Sequence, residues 1–198
     1  MRFSLHHLTA GLLCLILVSG CGRQPAAEIN DARAAVDSVM ADGAEKYAPE
    51  EAARLNKALA AALDEVAAQD KKLLRDYGHA RVLLAAARTE ATALAQRLPE
   101  WKAEARAHAA AEFGSARSAL SEAMALADRY RKSNRGSSVR DFLSVDIARI
   151  QARLADAHKQ ITAEDYLSAA TISAECRQKA ETLARQLRQG MPNSSAAK

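Results

Sequence analysis

Cysteine and histidine are the most reactive side chains in this sequence, and their spacing points away from catalysis. Beyond the first twenty residues, His79, His108 and His158 each stand without acidic or sulfur neighbours at the separations that hold a zinc or di-iron centre. The order of residues contains no Gly-x-Ser-x-Gly turn, phosphate-binding glycine loop or Cys/His pair. The expectation is a protein that is not an enzyme and uses no metal or diffusible cofactor. Cys176 recurs at helical spacing with Ala169, Ile172, Ala180 and Leu183. Such a position reads as a small buried hydrophobe, the alternative being a reactive thiol or an intermolecular disulfide.

The amino end, Met1 to His7 with Arg2, is followed by an apolar run from Leu8 to Val18, the pattern of a secretory signal. That run is about half of the roughly 20 residues a spanning helix needs. Leu17-Val18-Ser19-Gly20-Cys21 then resembles the lipobox of bacterial lipoproteins, an aliphatic residue and two small ones ahead of a cysteine. The resemblance implies that signal peptidase recognises Leu17, Val18, Ser19 and Gly20 and cuts after Gly20. It further implies a diacylglyceryl group on the Cys21 sulfur and an acyl chain (palmitate) on the freed amine, so the lipid on Cys21 is the only prosthetic group expected. Two or more chains hold a protein stably on a bilayer. Gly22, where an aspartate retains enterobacterial lipoproteins at the inner membrane, favours the outer membrane, facing the periplasm. With Cys14 removed and Cys21 lipidated, Cys176 has no intramolecular disulfide partner.

Charge is balanced in residues 21–98, with 11 basic and 12 acidic side chains, and positive in residues 99–198, with 16 against 12. Arg129, Arg131, Lys132, Arg135 and Arg140 cluster around one loop, where they are candidates for contact with an anionic surface such as lipid headgroups or lipopolysaccharide. A solvated loop is the plainer reading. Export excludes nucleic acid as a partner. The terminal Lys198 is similar to the carboxyl-terminal lysine of Braun-type lipoproteins, which is linked to peptidoglycan, but Asn193 to Ala197 lack the aromatic and basic residues of that family's end.

Alanine supplies 47 of the 198 residues, and no segment alternates apolar and polar with period two. The fold class is therefore all-α, as elongated antiparallel hairpins or a bundle with coiled-coil-like seams. Four regions are expected: a signal peptide over 1–20, a first helical unit over 21–98, a second over 99–189, and a disordered tail over 190–198. A helix over about 26–44 has Ile29, Ala32, Val36, Val39, Met40 and Gly43 on its apolar stripe, and Gly43 ends it. Pro49 opens the next helix. From there to Leu98 the pattern fits one long helix or two joined near Gln69 to Leu73. Pro99 predicts a boundary or kink, with helix following over Glu100–Tyr130. Ser133 to Ser138 reads as a loop, Val139 to Lys159 as a helix, and Thr162 with Asp165 as a capping-box-like start to the last helix, which Gly190 stops. Tyr47, Tyr77, Trp101, Phe113, Phe142 and Tyr166 read as core or joint residues.

Shifting the sequence by 89 residues pairs Asp76-Tyr77 with Asp165-Tyr166, Ala80 with Ala169, Ala91 with Ala180, Leu94-Ala95 with Leu183-Ala184 and Leu98 with Leu187. An internal duplication of a helical unit follows, the alternative being two independent amphipathic helices. The Asp-Tyr-x-x-Ala pattern is similar to the second helix of tetratricopeptide-like repeats. The segment Ile29 to Leu98, with Gly43, Ala44, Tyr47, Ala48, Pro49 and Glu51, then Asp76, Tyr77 and Ala80, resembles an uncharacterised family of bacterial envelope lipoproteins. That resemblance implies an envelope address and a helical hairpin but carries no activity. The expected role is a lipid-anchored scaffold acting through an envelope protein partner or self-association. An accessory subunit of a secretion or efflux system, or a spacer engaging peptidoglycan, are the alternatives.

Overall fold

The computed structural model describes residues 22–133 and 137–190, with side chains described outside 133–142. Among them the chain is all-α, with six helices and no strand: α1 (Ala26–Ala41), α2 (Ala44–Tyr47), α3 (Pro49–Asp70), α4 (Gly78–Ser133), α5 (Ser137–Thr162) and α6 (Tyr166–Gly190). Two compact units form, the first ending at Trp101 and the second beginning at Lys102. The boundary falls inside α4, which serves both.

Gly43 ends α1 as a left-handed residue (φ 95°) whose amide donates to the Met40 carbonyl at 2.9 Å. The single turn of α2 follows, and Pro49 takes the first position of α3, where its missing amide costs nothing. The stretch from Pro49 to Leu98 is two helices, parted by residues 71–77.

Two expectations are corrected. Of the boundary or kink expected at Pro99, the boundary is the one overturned, since the residue lies within α4. Its missing N–H and the crowding of the Ala95 carbonyl cost about 3 kcal/mol. Buried Leu94 and Leu98 and the partly buried Trp101 lie along one stripe over the core, and each contributes roughly 1.5–3 kcal/mol, which is enough to carry the helix past the proline. Thr162, for its part, does not start α6. It is the last residue of α5, and its hydroxyl donates back to the Lys159 carbonyl at 2.8 Å. The turn then spans only Ala163 to Asp165, with Glu164 at φ 58°, and the Asp165 carboxylate accepts the Ser168 amide at 3.1 Å. Asp165 is the cap because it is the residue that stands directly ahead of the first unpaired amides.

Each unit is a three-helix bundle running up, down and up. In the first, Gln24 beside α1 reaches Asp70 at the end of α3, so these two run antiparallel. Glu28 and Asp31 of α1 pair with Arg81 and Arg88 of α4 at 3.2 and 3.5 Å, so α1 and the first part of α4 run parallel. In the second unit, Ile150 and Arg153 of α5 meet Cys176 and Glu175 of α6 in antiparallel order. Glu112 and Glu122 of α4 pair with Arg177 and Arg188 of α6 in parallel order. Both bundles thus tie the acidic side of their first helix to arginines of their third.

The buried registers repeat as well. Tyr77, Ala80, Leu84, Ala87, Ala91, Leu94 and Leu98 are buried, and so is every residue 89 positions on: Tyr166, Ala169, Ser173, Cys176, Ala180, Leu183 and Leu187. Leu55, Ala62, Val66 and Gln69 of α3 match Leu143, Ile150, Leu154 and Ala157 of α5 at a shift of 88. Ala32, Val36 and Val39 of α1 match Ala116, Leu120 and Ala123 of α4 at a shift of 84. The two bundles thus share one core stripe over three helices, at shifts that differ with the lengths of the connections.

Candidate functional site

The described chain begins one residue after Cys21, and its first residues are tied to one end of the first bundle. Pro25 is fully buried. The side chain of Gln24 donates to one oxygen of Asp70 at 3.0 Å, and the Tyr77 hydroxyl donates to the other. The guanidinium of Arg81 donates to the Arg23 carbonyl at 3.3 Å. Residues 23 and 24 are therefore fixed against the α3–α4 connection.

That connection is pinned at both ends. The buried Gln69 takes the Asp76 amide on its side-chain oxygen at 3.3 Å, while its amino group donates to Glu65 at 2.7 Å. The carboxylate of Asp76 accepts the Gly78 amide at 2.9 Å, starting α4. Tyr77 is 1% exposed, and its phenol is held above the ordinary value of 10, first by its bond to Asp70 and then by burial. Between these anchors Lys71, Lys72, Leu73, Leu74, Arg75 and Asp76 are all exposed. Leu73 is 103% exposed and Leu74 90%, the two most exposed large apolar side chains among the described residues. Two leucines flanked by three cations thus stand at the end of the bundle where residues 23 and 24 are held.

The sequence left this stretch open between one continuous helix and two joined near Gln69 to Leu73, because Leu73 continues the stripe of Ala62, Val66 and Gln69 at helical spacing. The available signal was composition: Lys71-Lys72-Leu73-Leu74-Arg75 sets cations on both sides of an apolar pair. Of the basic cluster, Arg129 and Lys132 are exposed at the end of α4, and Arg131 pairs with Asp128 at 3.3 Å. Arg135 and the side chain of Arg140 lie outside the described residues, as do Leu17, Val18, Ser19, Gly20, Cys21, the side chain of Phe142, and Lys198.

Cys176 is buried in the second core with its sulfur 3.9 Å from the Ile150 carbonyl, and burial pushes its thiol up from the usual range, which keeps it protonated and unreactive at neutral pH. Tyr166 is buried, and Tyr47, Trp101 and Phe113 pack against the cores. The Arg97 guanidinium stacks 4.4 Å from the Trp101 ring, and His158 lies against Phe113 at 5.8 Å between ring centres. Among the described residues no three or more His, Cys, Asp or Glu side chains converge as metal ligands, and no helix is long and apolar enough to cross a membrane. The chain matches no protein-family model, no curated protein and no solved structure.

Proposed function

We propose that this chain is a lipid-anchored protein of the bacterial envelope, held at the outer membrane through Cys21, whose two helical bundles act as a scaffold for protein contact in the periplasm. The observation that carries this reading is the Leu17-Val18-Ser19-Gly20-Cys21 motif set directly ahead of a folded body, with only Gly22 to Pro25 between the cysteine and α1. An anchor so close to the body leaves no linker to span a distance, so the bundle works at the membrane surface. Alanine seams fill both cores, and the reactive residues are dispersed: Cys176 is buried in the second core, whereas His79 and His108 are exposed at well-separated positions along α4 and His158 is exposed on α5. That distribution supports binding rather than catalysis.

The test is metabolic labelling with a palmitate analogue in cells producing the chain or its Cys21→Ser variant, followed by crosslinking and mass spectrometry of what co-purifies. Label on the parent alone, with a discrete envelope protein recovered only when the anchor is present, is the expected result. An unlabelled parent would sink the lipoprotein reading.

A further inference from the structure

We propose that the α3–α4 loop is a second membrane contact, with Leu73 and Leu74 inserted among the acyl chains and Lys71, Lys72 and Arg75 against anionic headgroups. The inference rests on the lipoprotein reading of Cys21 and deepens it. Three observations converge. The loop carries the most exposed large apolar pair among the described residues, at 103% and 90%. Three cations flank that pair, the arrangement in which apolar tips enter the interface while charges stay at headgroup level.

The third observation concerns placement. Gln24 is bonded to Asp70 and the Arg23 carbonyl to Arg81, so the residues two and three positions after the lipidated cysteine are fixed to the same end of the bundle. Acyl chains on Cys21 bring that end to the bilayer, and the loop arrives with it. Such a tethered contact adds to the anchor at high effective concentration, so even a weak interaction is occupied. It also sets the orientation of the first bundle, because two separated attachments resist the swivelling that one would allow. The bonds of Gln69, Asp70 and Asp76 hold the loop's ends, so little ordering is needed on docking.

The test uses the full chain, produced with its own leader, extracted in detergent and reconstituted into phosphatidylethanolamine and phosphatidylglycerol vesicles. Mass spectrometry of the amino-terminal peptide reads acylation of Cys21 independently. The Leu73→Trp variant, measured against the parent to subtract Trp101, should add emission that is blue-shifted and quenched by lipids brominated along the acyl chain. In the unacylated Cys21→Ser chain, binding to the same vesicles should fall about fivefold for each of Lys71→Gln, Lys72→Gln and Arg75→Gln. Both leucines and both lysines are exposed and leave the core untouched when replaced, whereas Arg75 also lies beside the buried Tyr77 phenol, so Arg75→Gln is read against Lys71→Gln and Lys72→Gln.

An acylated chain whose added indole stays in water would overturn the loop contact while leaving the lipoprotein reading intact. Shielding of the indole in whole envelope membranes but not in lipid vesicles would assign the loop to a protein and also overturn the proposal. A chain that emerges from cells without acyl groups would sink the lipoprotein reading, and with it the placement on which the loop contact rests.

Discussion

Between α3 and α4 the chain takes seven residues, 71–77, to reverse direction, whereas between α5 and α6 it takes three, 163–165. The short turn is built for closure: Glu164 adopts a left-handed conformation and Asp165 caps the next helix. The long one carries a buried tyrosine–aspartate bond at its base and two exposed leucines at its tip. Counted between matching core positions, from Gln69 to Tyr77 and from Ala157 to Tyr166, the second connection is the longer by one residue; the second bundle spends most of that length as helix, and the first leaves it as an open loop. A loop that leaves two leucines in solvent where its counterpart continues as helix is where binding is to be sought.

The cores differ in a complementary way. The first unit sets Leu84 on its third helix and Ala62 on its second, and the second unit has Ser173 and Ile150 at the matching places. The bulk has moved from one helix to its neighbour while the stripe itself is unchanged. Volume-conserving exchanges of this kind are what a packed core tolerates best.

The comparison can be broken most severely at Leu84. It is 1% exposed, and Leu84→Ala should cost about 2–5 kcal/mol, with hydrogen exchange rising chiefly in the first unit. Equal loss of protection in both units would show that they melt as one. A smaller effect, of opposite sign, is expected at its counterpart. Ser173 is fully buried and its hydroxyl has no hydrogen-bond partner among the described residues, so Ser173→Ala should raise stability by about 1 kcal/mol in urea unfolding.

The smallest effect sharpens the contrast between the corners. The Tyr77 phenol is raised in the folded chain above its ordinary value of 10, so folding favours its neutral form. Its contribution is present in full below pH 10 and is lost as pH rises through the folded value. Tyr77→Phe should therefore lower the urea midpoint by a constant amount from pH 7 to about pH 10, and the gap from the parent should close above that. A gap that widened with alkali would contradict the bond to Asp70.

Helix content and several joints were legible because they rest on local chemistry. Gly43 stops α1 by tolerating a positive φ, and Pro49 opens α3 by lacking an amide. Pro99 does not end the helix because the stripe of Leu94, Leu98 and Trp101 outweighs a local penalty, and sequence spacing shows the penalty more plainly than the packing that offsets it. The shared register was visible only in the third helices, where the shift is a constant 89. On the other two helices Val36 meets Leu120 and Ala62 meets Ile150, at shifts that differ with connection length, so identity was lost while burial was kept. The α3–α4 joint was legible only as one of two alternatives, because Leu73 continues a helical stripe.

The continuity of α4 has a kinetic consequence. Starting a helix is the costly step, because several residues must be fixed before the first hydrogen bond repays them, whereas extending one is nearly free. The third helix of the first bundle is the nucleus from which the first helix of the second can grow. A chain that emerges amino end first thus needs no separate nucleation event for the first helix of its second bundle, and α5 and α6 have a formed helix to pack against.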